Sequence, residues 1–309
     1  MLANFLNKSK PINFIGLLIF FFFCYIINVL LSVFKNGFAL DSLLESTILL
    51  FLFLGVFFFY NFILSKNKLT FDDSFAFFLF TVLLVSLLAE LSNFKSLILV
   101  IIYLFFLRKV YRLRTSRILI KKLFDCGFWL GVLFILEPLS ILFLVIIFIG
   151  VFLHQKITLN TLFVPIIGFA TPLFIYFTYL FWIDKTIEFT ELFNYTFNYD
   201  IELYKSSKYI RFFTSIFIVS FVSIVFKSIA TLAVNNTFRK SWYLLIANFL
   251  IVIIFLILKP EKNGSEILYI LFPVSVICAN GVELVKKQFI KNLLLYFFLI
   301  GSILLCFSL

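Results

Sequence analysis

The 309-residue chain carries 15 acidic side chains, one histidine and four cysteines, and their spacing decides which of them can act together. The stretch FDCGFWLGVLFILEPLS frames an apolar run with Asp125 and Glu137. On a helix those two carboxylates lie about 18 Å apart along the axis, too far to share acid–base work. Asp41 and Glu45 are spaced i, i+4, which sets both carboxylates on one helical face about 6 Å apart. A proton-abstracting acid beside an orienting or metal-holding acid has that geometry, and so has the solvated first turn of an ordinary helix. His154 has no second histidine and no acid near it in sequence, which argues against a metal site. Cys24, Cys126, Cys278 and Cys306 fall in or beside apolar segments at no metal or redox spacing, and read as small hydrophobes. Asp72 and Asp73 directly precede an apolar run and read as a helix N-terminus, where acids offset the dipole.

The solvent these groups meet follows from composition. At 63% hydrophobic and 13% charged residues, with 49 phenylalanines, the chain has too little polar surface to cover a water-soluble fold. The reading is an all-α, polytopic bundle of transmembrane helices, a single integral membrane domain over residues 1–309. Apolar runs bounded by charges predict about eleven spans (range about 9–12), near 14–34, 44–64, 74–92, 96–107, 123–136, 138–153, 161–182, 212–232, 242–258, 267–283 and 293–309. The start has a basic region and an apolar core, but the core is long and lacks a small-x-small cleavage site, so it reads as a retained first span rather than a signal peptide.

A net charge of +11 in such a chain is a topology signal and not a mark of nucleic-acid binding. With the N-terminus on the cytoplasmic side, 17 Lys and Arg residues fall in inner segments and 8 in outer ones, leaving only Lys227 inside a span. Most acids fall the other way, which places any binding or chemistry on the outer side. The expected location is a bacterial inner membrane. Two loops are long enough for structure of their own. The inner one, RKVYRLRTSRILIKK (108–122), sets Val110, Leu113, Ile118 and Leu119 against a basic face and predicts an amphipathic segment on anionic headgroups. The outer one (184–211) has Ile187, Glu188, Glu191, Leu192 and Tyr195 at helical spacing and predicts an interfacial helix.

The segments 123–136 and 138–153 are each about 21–24 Å long as helices, short of the about 30 Å of hydrocarbon. Glu137 precedes Pro138 and is biased to extended backbone, so the pair predicts a hairpin whose tip lies near the outer headgroups. Glu137 has no basic neighbour in sequence; it either lines a cavity or caps the hairpin. Asp125, beside Lys121, Lys122 and Arg117, predicts an ion pair. Gly127 and Gly131 form G-x-x-x-G and predict close helix packing.

Taken in order, the hairpin LFDCGFWLGVLFILEPLSILFLVIIFIGVFLHQK, the span LFVPIIGFATPLFIYFTYLFWIDKTIEF and the late segment ILKPEKNGSEILYILFPVSVICANGVEL resemble the core of GT-C glycosyltransferases. Those are multi-spanning enzymes that use polyprenyl-phosphate-linked sugars. The whole chain also looks like small multi-pass inner-membrane proteins of flavobacteria, a likeness that brings no activity with it. The GT-C resemblance implies a catalytic acid in the first outer loop, here Asp41 as base, with Glu45, Glu90 and Glu137 as supporting acids. It implies that the phosphate leaving group meets an outer cation, with Arg211 first by its planar fork and Lys35, Lys259 and Lys262 behind it. Snorkelling to headgroups explains the same cations.

The leading expectation is therefore transfer of a sugar from a polyprenyl phosphate on the outer face. The expected partners are membrane lipids, that donor and envelope proteins, with no nucleic acid. No cofactor is expected, and a divalent metal has no ligand set in the sequence. A second expectation from another class is a non-catalytic subunit of an envelope assembly or secretion complex, docking through 108–122 or 184–211. A transporter ranks third, because no internal repeat is present and intramembrane charge is sparse.

Overall fold

The computed structural model describes residues 1–36, 40–115, 118–154, 157–195, 199, 201–232 and 236–307. Among them every regular element is helical: α1 (Leu2–Leu6), α2 (Pro11–Asn36), α3 (Leu40–Asn67), α4 (Phe75–Ser86), α5 (Leu88–Leu91), α6 (Phe94–Tyr111), α7 (Leu119–Leu136), α8 (Leu144–His154), α9 (Leu159–Trp182), α10 (Thr186–Glu191), α11 (Ser207–Thr231), α12 (Asn236–Leu258), α13 (Leu268–Leu284) and α14 (Gln288–Phe307). Short 3-10 turns occupy Arg112–Arg114, Pro138–Phe143, Glu202–Lys205 and Ser265–Ile267. Each apolar run of the sequence is thus helical. Among the described residues, seven helices are long and apolar enough to cross a membrane, fewer than the about eleven spans expected: Pro11–Phe34, Leu40–Asn67, Leu159–Trp182, Ser207–Thr231, Phe238–Leu258, Ser265–Leu284 and Gln288–Phe307. Phe75–Ser86 and Pro138–His154 are shorter apolar helices.

The chain divides into two compact units, and the division falls inside α6. Unit 1 is Met1–Leu97, Ile201–Val234 and Asn263–Leu309; unit 2 is Ile98–Asp200 and Asn235–Lys262. In unit 1, α4 is buried along its whole length and α13 over nearly all of it, the pattern of helices apolar all round. α4 packs on α13 and α14, and α11 packs on α13. Tyr60 of α3 stacks on Phe80 with ring centroids 3.9 Å apart. Its hydroxyl donates to the Ala76 carbonyl at 3.0 Å and shares a 2.7 Å hydrogen bond with Ser275 Oγ. By contrast α2 and α3 leave Phe22, Phe23, Phe51 and Phe58 exposed, as suits helices with a face toward lipid.

In unit 2 the G-x-x-x-G spacing does what it predicts. A Cβ on Gly127 would lie 2.0 Å from the Pro165 carbonyl oxygen, and one on Gly131 would lie 2.5 Å from the Phe169 carbonyl oxygen. Gly168 answers from α9, with Phe124 O 2.3 Å from the same position. α7 and α9 therefore touch backbone to backbone. The turn after α7 also matches expectation: Glu137 is extended (φ −142°, ψ 89°) and Pro138 opens the 3-10 turn. The basic stretch 108–122 differs from expectation. It is not a helix of its own but the end of α6, a 3-10 turn and the start of α7. Of its apolar residues, Val110 and Leu113 are fully buried and Ile118 is exposed, with Leu119 half-buried; Arg117 lies outside the described residues. The stretch 184–211 does contain a short helix, α10, none of whose residues is fully buried; its Phe189 packs on Phe177 of α9 with ring centroids 5.0 Å apart.

Candidate functional site

One end of unit 1 gathers polar groups from three stretches of chain. Gly264 takes φ +87°, a left-handed conformation that glycine adopts without cost, and the turn it makes directs Glu266 inward. The Glu266 side chain is fully buried. It accepts the Gly264 N–H at 3.1 Å and the Asn263 N–H at 3.3 Å, and the Tyr204 hydroxyl donates to it. Burial, and then the negative Glu266, push the Tyr204 hydroxyl well above the usual phenol range. Ser265 Oγ and Ser96 Oγ share a 2.6 Å hydrogen bond, joining this turn to the start of α6.

Beside that turn, Lys208 Nζ donates to Glu90 Oε1 at 2.6 Å. Glu90 lies in α5, just beyond the irregularity at Leu87 that separates α4 from α5. Its other oxygen, Oε2, is buried with no hydrogen-bond partner among the described residues. Tyr209 packs against the Gly264 turn and feels both Glu90 and Glu266. A carboxylate oxygen without a donor, set next to an ammonium, can accept a hydroxyl or take up a proton.

An apolar groove of about 550 Å³ opens next to this cluster. Val82, Leu83 and Ser86 come from α4, Ile210 to Ile218 from α11, and Phe297 to Leu305 from α14. Among the described residues, Arg211 is the only charged one lining it. Its Nε donates to the Ser207 carbonyl at 3.0 Å, which holds the guanidinium by one edge and leaves the terminal nitrogens available. Lys208 stands one helical turn before Arg211, and Cys306, next to groove-lining Leu305, lies within electrostatic reach of Lys208 and Glu90. The groove's volume is in the range of ordinary ligand pockets.

The other residues singled out from the sequence fall elsewhere. Asp41 and Glu45 share the exposed first turns of α3, with no salt bridge to either among the described residues. Glu137 is tied to Lys259 at 2.9 Å, each side chain only 12% exposed, and Lys259 Nζ also lies 5.8 Å from the Phe255 ring centre. Both belong to unit 2, where this pair closes the hairpin tip. Lys262 is half-buried in the same unit. Lys35 ends α2, and its side chain lies outside the described residues. Asp125 forms an ion pair as expected, but with Lys109 of α6 at 2.6 Å and not with Lys121 or Lys122; Arg117 lies outside the described residues. Among the described residues no three His, Cys, Asp or Glu side chains gather as they would around a metal ion. Sequence reasoning selected Glu90 and Arg211 but passed over Glu266, Tyr204, Tyr209 and Lys208. The usable signal was Asn-Gly directly ahead of Ser265 and Glu266, a turn that returns an acid to the head of an apolar helix.

All-helical architecture, seven helices of membrane-crossing length and a lipid-sized apolar groove with a cationic rim define a multi-pass protein of the membrane type. The chain belongs to a family of unknown function (DUF6427), whose model matches residues 1–309. No curated protein and no solved structure matches it.

Proposed function

We propose that the protein binds a polyprenyl phosphate in the groove of unit 1 and transfers a sugar carried on that phosphate, in the manner of the GT-C glycosyltransferases its sequence resembles. The observation that carries this reading is the groove itself: a volume of about 550 Å³ with mainly apolar walls and, among the described residues, Arg211 as the charged one lining it. An isoprenoid tail suits the apolar walls, and a guanidinium held by its Nε presents the remaining N–H groups to a phosphate. Of the four candidate acids, Glu90 is the one beside the groove, so the base role passes to it from Asp41. In the proposed step an acceptor hydroxyl gives its proton to Glu90 while its oxygen bonds the sugar. The sugar–phosphate bond breaks, and Arg211 takes the developing phosphate charge. Glu137 is occupied by Lys259 and has a structural role in this scheme.

The test uses the purified protein in nanodiscs with two probes, a polyprenyl phosphate and the corresponding polyprenol. Wild type should prefer the phosphate, and Arg211→Ala should lose about tenfold in affinity for it, the scale of one charge-assisted contact. Polyprenol binding should not move. Glu90→Gln should keep phosphate binding and abolish sugar transfer from a polyprenyl-phosphate-linked donor. Equal affinity of wild type and Arg211→Ala for the phosphate would sink the lipid site; transfer surviving in Glu90→Gln would sink the assignment of the base. A second reading, a lipid-holding subunit without chemistry, draws on the ion pairs that occupy Glu137, Asp125 and one oxygen of Glu90. It predicts phosphate binding with no transfer in wild type.

A further inference from the structure

At the other end of the three helices that line the groove lies a group of charges, with Lys227 and Lys291 buried and Asp73 and Glu283 half-buried. Asp73 sits at the head of α4, where its Oδ1 accepts the Phe75 N–H at 3.0 Å. Lys227, on α11, is 4% exposed and pairs with Glu283 of α13 at 2.9 Å, with its Nζ 4.9 Å from the Phe71 ring centre. Lys291, on α14, lies 5.2 Å over the Phe75 ring. Phe71 and Phe75, which hold the two lysines, flank Asp73 two residues away on each side, so Lys227, Lys291 and the paired Glu283 lie within electrostatic reach of it, and within its own connection Asp72 and Lys68 are the other charges. Lysine inside an apolar span is costly and marks a working site more often than a structural one. The α3–α4 connection held here also holds the N-terminal helix. Ser74 N–H donates to Leu6 O at 2.9 Å, Ser9 N–H to Asp72 O at 3.0 Å, and Asn13 Nδ2 to Ser74 Oγ at 3.3 Å.

We propose that Asp73, Lys227, Glu283 and Lys291 form a proton-linked clasp that fixes the spacing of α4, α11 and α14, and so governs how readily the groove admits its phosphate-bearing lipid. The last clause rests on the lipid reading above; the clasp does not. Along the helices the clasp lies about 20 Å from the far end of the groove, judged from Lys291 to Leu305 and from Asp73 to Ser86 at about 1.5 Å per residue. The sign follows from burial. Loss of water raises the Asp73 carboxyl from 3.8 to about 7; the Phe75 N–H opposes this, Glu283 adds to it, and Lys227 and Lys291 oppose it. The closed clasp therefore binds the proton more tightly than the open one. Its stability is present at low pH and is lost as pH rises toward and through about 7. By reciprocity, lipid that prefers the open form lowers the proton affinity of Asp73.

Hydrogen exchange of the full chain in nanodiscs, corrected for the intrinsic pH dependence, reads the clasp directly. Peptides covering residues 1–10 and 68–74 should exchange several-fold faster at pH 8 than at pH 6. Asp73→Asn, a neutral isostere, should stay slow at both. Glu283→Gln removes a negative neighbour and should move the midpoint to lower pH, which keeps the test alive if Asp73→Asn does not fold. Exchange that is flat with pH, or faster at pH 6, overturns the clasp. In the same samples polyprenyl phosphate should bind at least threefold tighter at pH 8 than at pH 6, with that dependence gone in Asp73→Asn. Exchange that shifts while binding does not overturns the link to the groove. Exchange that shifts with no binding at any pH overturns the lipid reading and leaves the clasp standing.

Discussion

Glu137 was legible as an acid but not as a partner. The sequence shows a carboxylate at a proline turn with no cation near it in the chain, and that leaves a cavity and a cap equally open. Lys259 arrives from the far end of α12 and decides the matter. Pairings of this kind have no local signature, because neither the distance along the chain nor the periodicity of either helix encodes them. Asp125 makes the same point: an ion pair was readable, yet its partner is Lys109 and not the closer basic residues. Glu90 and Arg211 were picked out as charges at span ends, whereas their closeness to one groove was not readable. With both side chains 12% exposed, the Glu137–Lys259 pair is shielded enough for its loss to be felt. Glu137→Ala strands the ammonium, and the cost expected is about 2 kcal/mol, between the about 1 kcal/mol of an exposed pair and the about 3–5 kcal/mol of a fully buried one, because some solvent remains. Changing Glu137→Gln together with Lys259→Gln should recover most of it. Thermal unfolding in one detergent, run on the single and double variants, measures the difference. A single variant as stable as wild type would show that the pair contributes nothing.

Helices were the most legible level. Charges cut the apolar runs cleanly, and the runs are helical with ends close to those expected, except that 74–92 divides into α4 and α5 and 138–153 opens as a 3-10 turn; the cost of an unsatisfied backbone in hydrocarbon leaves little else. Two features escaped. The break at Leu87 that sets Glu90 off from α4 has no proline or glycine to announce it. The apolar side of 108–122 was read as membrane-facing, whereas Val110 and Leu113 are buried in protein and Ile118 stays exposed; periodicity reports an apolar face without naming what covers it. The α7–α9 contact was half legible. Gly127 and Gly131 announced it, while Gly168 and the backbone of Pro165 and Phe169 that receive them could be found only in three dimensions. Because the opposing atoms are backbone, the contact cannot relax by a rotamer change. Gly131→Ala puts a methyl 2.5 Å from the Phe169 carbonyl oxygen, and overpacking of that kind costs about 1–3 kcal/mol. Ala at Gly16, which has nothing within 4 Å of the corresponding position, is the control and should leave the unfolding midpoint unchanged. Equal midpoints for the two variants would remove close α7–α9 packing from the account of stability.

At the scale of the molecule the open quantity is how many segments cross. α4 spans about 18 Å as a helix, which taken alone falls short of the hydrocarbon. Its surroundings argue otherwise. Before it, Asp73 meets the C-terminal halves of α11 and α13 and the start of α14, through Lys227, Glu283 and Lys291. After it, Glu90 meets the start of α11 at Lys208, the turn ahead of α13 at Gly264 and the end of α14 at Cys306. Between those points α4 and α5 run the length of three helices that are themselves long enough to cross. A segment enclosed by protein on every side needs neither lipid-matched length nor an unbroken ladder, because its neighbours supply the apolar surroundings. Asp72 and Lys95, both exposed and just outside the two ends, should then face opposite aqueous compartments. In a background with the four native cysteines replaced, Asp72→Cys and Lys95→Cys read this directly with a membrane-impermeant maleimide. One should label in sealed inside-out vesicles and the other only after permeabilisation, and an N-terminus on the cytoplasmic side makes Asp72→Cys the first. Labelling of both from one side would make α4 and α5 a re-entrant element, and would place Glu90 and Asp73 on the same face of the membrane.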